Sequence, residues 1–434
     1  MRATRIVLVG AGSTVFGPGL FESATKLEEL RGATLVLLGH TAEKAETTRA
    51  FAARTLAELG GELALESTLE PAQALDGADF VVCSIGIGGL AARRVDVELP
   101  MEYGVVQTKG DSTGPGGISR ALRTVPPMLE LARQMERSCP EALLLNYSNP
   151  MTPICTALAM ATKVKVVGMC DGIAMARSFL AGYLGVPEGQ LLARCAGVNH
   201  CAWLTELRVG GEDAYPLLWR RLEEVGVKGE PVSFELLRLY GLYPSPADVH
   251  VAEFFPHFLN AAAEYGRAWG LYPWPAEKLM AQRAADEEKL RQRSQGLLPL
   301  EPVKAEIGEA ALAMEIIAAC IGERQMEFTA NLPNEGQVAN LPPRAIVETP
   351  ALAARKAIRA KAVGNLPPGI AALTEARLVQ QGLIAQAALS GERALALQAL
   401  VMDPLMAPVP VAKSKEMLER LLAAHQRYLP QFGG

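Results

Sequence analysis

Short apolar runs alternate with amphipathic stretches through the first half of the chain. The apolar runs cover residues 5–10, 33–39, 78–86, 141–150 and 164–172, and helix patterns lie near 18–30, 41–60, 117–138 and 149–162. Nearly continuous apolar strands separated by helices are typical of a parallel sheet that is covered on both faces. The pattern predicts a doubly wound α/β fold that binds its ligands outside the carboxyl ends of the strands.

The pattern changes after about residue 190. Residues 191–213 alternate as a β hairpin does, with Gly-Gly-Glu-Asp at 210–213 as the predicted turn. Amphipathic helix patterns follow, interrupted by a stretch rich in Pro and Asn at 324–350. We expect two domains, a nucleotide-binding domain over residues 1–195 and a mixed α/β domain over 196–434.

Composition narrows the class of protein. The chain has 434 residues and a net charge of −5, and it lacks basic runs interleaved with aromatic residues, which argues against nucleic acid or an anionic membrane as partner. It has no apolar stretch of about 18 residues and no secretory leader pattern, so we expect a cytoplasmic protein. Its seven cysteines are an odd number without CxxC spacing, which favours reduced thiols over disulfides.

A glycine-rich turn follows the first predicted strand. Glycines at such a strand–helix turn let main-chain N–H groups approach a pyrophosphate at the helix N-terminus. The third glycine of the usual fingerprint is replaced by Val15. With the strand–helix alternation, the turn predicts a Rossmann-type domain that binds NAD through Gly10, Ala11, Gly12 and Ser13.

The second predicted strand ends in Gly39 and His40, where a typical NAD site has an acidic residue that binds the adenosine ribose. We assign His40 to the cofactor site, with an ordinary surface histidine as the alternative. NADP also stays open, although the segment has no Arg for a 2′-phosphate.

Two further polar segments follow predicted strands. The segment QTKGDSTGPGG places Asp111 among glycines, as expected of a loop that closes over cofactor and substrate. The segment NYSNPM supplies Asn146 and Asn149, which suit sugar or ribose hydroxyls but would equally cap the next helix.

Cys170 and His200 each end a strand-like run. A thiolate and an imidazole suit a first-row divalent metal, and two protein ligands leave positions open for substrate oxygens. The alternative is a pair of unrelated buried side chains.

Taken together, the segments resemble glycoside hydrolase family 4 in order and spacing. The shared motifs are GAGS, QTKGDSTGPGG, NYSNPM, GMCDG, AGVNH, HVAEFFP and NLPNEGQVANLP, between residue 5 and about residue 405. The resemblance implies a glycosidase that depends on NAD and Mn²⁺, with a fold like lactate and malate dehydrogenases. It also implies Cys170 and His200 as metal ligands, and a homodimer or homotetramer.

The resemblance extends to catalytic roles. It implies Asp171 as general acid, since a neighbouring thiolate favours the protonated carboxyl group. For the base we favour Asp248, with Tyr243 and Tyr240 as alternatives and a helix cap as the structural alternative for Asp248. Asp111 is the third candidate carboxylate, for which we expect a role in positioning the water or the substrate hydroxyls. His250 is assigned to structure, with a metal contact as the alternative.

The implied reaction is NAD-mediated oxidation at sugar carbon 3, elimination of the leaving group, addition of water and re-reduction. This differs from the mechanism of most glycosidases, which use two carboxylates. The segment YPSPADVHVAEFFP resembles uronidase-type members, and Lys109 adds a cation, so we predict an α-glycoside of an anionic hexose such as a uronic acid. Asp171, directly after Cys170, is instead a feature that resembles some 6-phospho-α-glucosidases of the family. The sequence also leaves open neutral α-glucosides or α-galactosides as substrates, a 2-hydroxy-acid dehydrogenase, and an inactive dinucleotide sensor.

Overall fold

The computed structural model describes residues 3–10, 16–301, 308–355 and 357–433. The strands are β1 (Arg5–Val9), β2 (Thr34–Leu38), β3 (Ala64–Thr68), β4 (Phe80–Cys83), β5 (Leu143–Asn146), β6 (Lys165–Met169), β7 (Leu191–Val198), β8 (Cys201–Val209), β9 (Glu212–Asp213), β10 (Pro244–Ser245), β11 (Met326–Pro333), β12 (Ile346–Ala354) and β13 (Ala357–Ala360). The helices are α1 (Phe16–Thr25), α2 (Ala42–Leu59), α3 (Pro71–Leu75), α4 (Gly89–Met101), α5 (Gly114–Ser138), α6 (Met151–Ala161), α7 (Gly172–Leu184), α8 (Tyr215–Val225), α9 (Pro231–Tyr240), α10 (Asp248–Val251), α11 (Ala276–Ser294), α12 (Gly308–Ile321), α13 (Pro368–Ser390), α14 (Arg393–Val401) and α15 (Val411–Ala424).

The first six strands are parallel and lie in the order β3-β2-β1-β4-β5-β6. This is the 3-2-1-4-5-6 order of the Rossmann fold, so the predicted fold class is confirmed. Alternate residues of the central strands enter two different cores. Val7 and Val81 pack on one face, while Ile6, Leu8 and Val82 pack on the other, as the two-residue period of a strand requires.

The same sheet continues beyond β6 through antiparallel strands. The order from there is β11-β12-β7-β8-β10, with β13 paired to β12 and β9 to β8. One row of paired residues therefore crosses the whole sheet, near the carboxyl ends of the parallel strands. The row is Thr68, Leu38, Val9, Cys83, Asn146, Gly168, Asn331, Glu348, Gly197, Ala202 and Ser245.

Two details differ from the predicted elements. The strand β3 was missed because its residues are mostly exposed and polar at the sheet edge, so Cys170 follows the sixth strand rather than the fifth. The predicted Gly-Gly turn is present at residues 210–211, but it joins β8 to the short strand β9 rather than β7 to β8. The hairpin turns at Asn199 and His200, between the paired residues Val198 and Cys201.

None of the helices in the described ranges has the length and apolarity needed to cross a bilayer.

Candidate metal and cofactor site

Three side chains from distant parts of the chain meet just beyond the row that crosses the sheet. Asp111 lies in the loop between α4 and α5, His200 in the turn between β7 and β8, and His250 in α10. The Nδ1 atoms of the two histidines are 3.2 Å apart, and they lie 3.6 and 3.8 Å from Asp111 Oδ1. All three residues are buried. We call them the Asp-His-His cluster.

The possible ligand atoms of the cluster lie close together, with a hydroxyl beside them. The Ser112 hydroxyl lies 3.1 Å from Asp111 Oδ1 and 2.5 Å from His200 Nδ1. Ligand atoms of the cluster lie within 4.8 Å of one another. Nitrogen and oxygen ligands sit about 2.0–2.2 Å from a first-row divalent ion, so the separations suit atoms that share one such ion.

The electrostatics of the cluster fit the same use. Burial works to raise the pKa of Asp111, but Arg93 and the two imidazoles outweigh it and hold the pKa well below its usual range. Burial and the neighbouring ring of His200 lower the pKa of His250 well below its usual value. An ionised carboxylate and a neutral imidazole are the forms that bind metal.

The backbone at His200 is unusual as well. Its φ of +66° lies in the left-handed region, which non-glycine residues occupy rarely and often at functional sites. The predicted metal ligand His200 thus lies in the cluster.

The other predicted metal ligand, Cys170, directly follows β6 and is buried, with the Gly172 N–H 3.3 Å from its sulfur. It is not one of the three residues whose ligand atoms lie within 4.8 Å of one another. The sequence placed His200 among the predicted ligands and gave a metal contact as the alternative for His250, but it did not group either histidine with Asp111.

The loop that bears Asp111 is tied down on both sides. Gln107 Oε1 accepts a hydrogen bond from Gly116 N, and its Nε2 donates to the Thr113 carbonyl. Asp403 accepts bonds from Thr113 Oγ1 and Gly114 N, at 2.9 and 2.8 Å. A loop that closes over ligands was expected, whereas the structure shows a buried loop bonded to its surroundings.

Arg93 and Glu253 also fix this loop. Arg93 stacks on Trp274 with its guanidinium carbon 4.4 Å from the ring centroid, and it donates to the Lys109 carbonyl and to Asp111. Glu253 accepts bonds from Lys109 N and from the next main-chain N–H. Burial raises the pKa of Glu253 to about 8.

A polar network that sequence reasoning missed lies under the turn at His200. Glu348 Oε2 accepts bonds from Asn199 Nδ2 at 2.6 Å and from Asn331 Nδ2 at 3.0 Å, and burial raises the pKa of Glu348. The available signal was the ANLPNEG motif that contains Asn331. Its link to residue 199 depends on strand pairing that the sequence pattern does not reveal.

On the predicted cofactor side, Gly10 directly follows β1 and is closely packed. Gly10 has φ +85°, and a Cβ there would overlap the carbonyl oxygen of Ser84 at the end of β4. Gly39 is equally crowded, since a Cβ would lie 2.5 Å from Ala45 Cβ in the first turns of α2. The close approach of α2 explains why no acidic residue stands there. His40 is exposed, and the predicted contacts Ala11, Gly12 and Ser13 lie outside the described residues.

The two asparagines of NYSNPM separate. Asn146 bonds to both main-chain groups of Ser148 and so shapes the turn after β5. Asn149 Oδ1 is buried and accepts no hydrogen bond from the described residues. Of the two, Asn149 has an acceptor left for a ligand.

The predicted acid and bases lie in three different settings. Asp171 is half-buried at the start of α7. The carboxylate of Asp248 accepts bonds from Val232 N, Ser233 N and Ser233 Oγ at 2.6–2.7 Å, and so caps α9 rather than its own helix. Tyr243 is fully buried against Phe179 and Phe234, in surroundings of a core residue rather than of a base.

Comparison with known proteins agrees with this geometry. Residues 5–186 match the model of the family 4 glycosyl hydrolases, and residues 195–406 match that of the family 4 glycosyl hydrolase C-terminal domain. An α-galactosidase from Bacillus subtilis is 30% identical over 99% of both chains. An α-galacturonidase from the same organism is 30% identical over 93% of both chains.

A solved structure gives the same architecture. The 6-phospho-α-glucosidase from gut microorganisms, in complex with NAD and Mn²⁺, superimposes with a TM-score of 0.85 at 22% identity, over 99% of this chain and 100% of that one. Fold and matches define the class as a glycoside hydrolase built on a Rossmann-type sheet. The chain belongs to family 4 of the glycosyl hydrolases.

Proposed function

We propose that the protein hydrolyses an α-glycoside of an anionic hexose, using NAD and a divalent metal ion such as Mn²⁺. The observation that supports this most is the Asp-His-His cluster, at the edge of the sheet where a Rossmann-type fold binds its ligands. When bound, NAD would supply reversible hydride acceptance, and the metal ion would supply Lewis acidity beside the sugar hydroxyls.

The chain offers residues for both groups. Asp111, His200 and His250 would bind the metal ion, and Cys170, directly after β6, would be a further ligand or contact. Gly10 and the residues after it would approach the pyrophosphate, and Asn149 would donate to or accept from the ribose or sugar hydroxyls.

Acid–base roles follow from exposure. Asp171 is half-buried beside Cys170 and is our proposal for the acid that protonates the leaving oxygen. Asp248 stays a proposal for the base. Its Oδ1 accepts two hydrogen bonds from Ser233, whereas its Oδ2 accepts one from the Val232 N–H and so keeps a lone pair that can accept a proton.

The anionic substrate is supported by the charges around the cluster. The positive charges of Lys109 and Arg93 both help to lower the pKa of His250, so both cations lie near the cluster. Arg120 is half-buried, and burial and the neighbouring Arg93 lower its pKa to about 10. A cationic wall next to a metal site favours a carboxylate or phosphate on the sugar over a neutral hydroxymethyl group.

A panel of aryl α-glycosides tests the proposal directly. We expect release of aglycone, without net accumulation of NADH, and the highest kcat/KM on glucuronides or galacturonides when NAD and Mn²⁺ are present. Preference for neutral glycosides would overturn the anionic substrate, and preference for 6-phospho-glycosides would place the charge on a phosphate. Accumulation of NADH would indicate a dehydrogenase, and neither signal would indicate a sensor.

Two further measurements test the chemistry. Turnover in D₂O should place deuterium on carbon 2 of the released sugar, since a protein base would exchange its proton with solvent. The variant Cys170→Ser should remain folded and lose metal-dependent activity. Direct displacement would leave carbon 2 unlabelled, and a fully active Cys170→Ser variant would remove the thiol from the site.

A further inference from the structure

A buried carboxyl group joins the two segments that provide the carboxylate and the second histidine of the cluster. Glu253 lies in the 3₁₀ turn after α10 and is 1% exposed. Its Oε1 accepts hydrogen bonds from Lys109 N at 2.7 Å and Gly110 N at 2.8 Å. Those two residues precede Asp111, and Glu253 itself stands three residues after His250.

A second bond runs between the same two segments. The hydroxyl of Thr108 donates to the Val249 carbonyl at 2.6 Å, next to His250. The loop from 108 to 111 and the segment from 248 to 254 are therefore joined by three hydrogen bonds of 2.6–2.8 Å and a longer contact of 3.5 Å between the Thr108 hydroxyl and Glu253 Oε1, which flank the Asp111–His250 pair.

Burying a carboxyl group at this position costs free energy unless its oxygens accept hydrogen bonds. Burying it has a large desolvation cost, and an apolar side chain of similar size often stabilises a core better. The main-chain N–H groups of Lys109 and Gly110 have no strand or helix partner in this loop, so they need a buried acceptor.

We propose that Glu253 is a positioning residue that sets the spacing of Asp111 and His250, and thereby the affinity of the site for its divalent ion. The proposal rests on the metal site of the proposed function. Metal–ligand distances tolerate only a few tenths of an ångström, so a loop that is free to shift would weaken binding even with every ligand present.

A purely structural role predicts a different result. If Glu253 only stabilised the fold, its loss would lower the melting temperature but leave the ion affinity of the folded protein unchanged. A positioning role moves the affinity itself, and it depends on the acceptor oxygen rather than on the charge.

Mn²⁺ titration followed by electron paramagnetic resonance separates the two roles, because free Mn²⁺ gives a six-line signal that is lost on binding. We expect Glu253→Leu to raise the Kd about tenfold or more, as other residues behind metal ligands do. Glu253→Gln keeps the acceptor oxygen and should stay within about threefold of the unaltered protein, on the same reasoning about outer ligand partners.

The control is Asp79→Leu, which removes a carboxylate that accepts the Arg5 N–H at the amino ends of the central strands β1 and β4. This is the end of the parallel strands opposite to the one where the cluster lies. The variant should lower the melting temperature without changing the Kd. Glu253→Leu binding Mn²⁺ as tightly as the unaltered protein, or Glu253→Gln binding as weakly as Glu253→Leu, would overturn the positioning role.

If Glu253→Leu does not fold, Thr108→Val tests the same junction, because it removes the hydroxyl that bonds to the Val249 carbonyl and lies 3.5 Å from Glu253 Oε1. A Kd raised severalfold supports the proposal, and an unchanged Kd refutes it. Failure of the unaltered protein to bind Mn²⁺ would be a separate result, which overturns the metal site of the proposed function along with this refinement of it.

Discussion

Two buried clusters in this protein are made of similar residue types but differ in how fully their polar groups are paired. One consists of Asp96, Arg123, His425 and Ser119, and we call it the anchor cluster. Asp96 accepts a two-pronged bond from Arg123 and further bonds from Ser119 and His425, at 2.8 and 2.9 Å. Each charge meets its complement inside the protein, and the cluster joins α4, α5 and the segment after α15.

The Asp-His-His cluster likewise has an Arg and a Ser beside it, Arg93 and Ser112, but it contains two imidazoles. Their Nδ1 atoms face each other at 3.2 Å, and the buried Nε of Arg93 has no hydrogen-bond partner among the described residues. Similar residue types therefore form a fully paired cluster in one place and an incompletely paired cluster in the other. Incomplete pairing of buried polar groups is what we expect of a site that binds a ligand.

The largest expected effect breaks the anchor cluster. Asp96→Ala leaves the fully buried guanidinium of Arg123 without its counter-charge, which should lower the free energy of unfolding by about 3–5 kcal/mol. Urea denaturation measures the loss. The matched variant Asp111→Ala should lose clearly less, because Arg93 keeps its stacking on Trp274. Equal losses would show that the two clusters do not differ as argued.

The second-largest expected effect is on metal binding rather than on stability. His200→Ala should weaken Mn²⁺ binding by about 100-fold or more, since removing a ligand exceeds the 10–100-fold cost of losing an outer partner. The melting temperature should change little. Calorimetric Mn²⁺ titration checks this, with His425→Ala from the anchor cluster as control. Unaltered affinity in His200→Ala would remove this residue from the ligand set.

A smaller effect concerns acid stability. Burial works to raise the pKa of Asp96, but His425 and Arg123 outweigh it, so the folded-state pKa is lowered. A lowered pKa contributes stability that is present above the unfolded value of about 3.9 and is lost as pH falls toward the folded value. Asp96→Asn should therefore show a shallower loss of stability below about pH 4 than the unaltered protein, in urea melts at several pH values. Equal slopes would contradict it.

The smallest effect concerns Tyr243, which belongs to neither cluster. Its ring packs in an aromatic core, and burial raises the pKa of its hydroxyl well above the usual value. Tyr243→Phe should leave kcat within about twofold, because the hydroxyl is not available as a base at neutral pH. A large fall in kcat with KM unchanged would restore it to the chemistry.

Much of the fold could be predicted because parallel strands that are buried on both faces have nearly continuous apolar sequences. The strand β3 could not, since an exposed edge strand lacks that pattern. The Gly-Gly turn was predicted because it is a strong local signal, and it joins β8 to β9. The turn between β7 and β8 was missed because Asn199 and His200 turn the chain only with the pairing of these two strands around them.

The site was predictable only in part, for a related reason. His200 was found from the strand end that precedes it, and Asp111 from the glycines around it. The grouping of both with His250 depends on α10 packing against the loop, which is a tertiary contact. The cap that Asp248 provides for α9 likewise joins residues that no local pattern relates.

The long row of paired strands has a consequence for synthesis on the ribosome. The strand β6 gains its second neighbour, β11, only after roughly 160 further residues have been made, which takes on the order of 10–30 s at typical elongation rates. During that time its free edge presents unpaired N–H and C=O groups, the template on which strands of other chains add. The topology that assembles the site therefore also creates a period in which the nascent chain exposes a strand edge on which other chains can add.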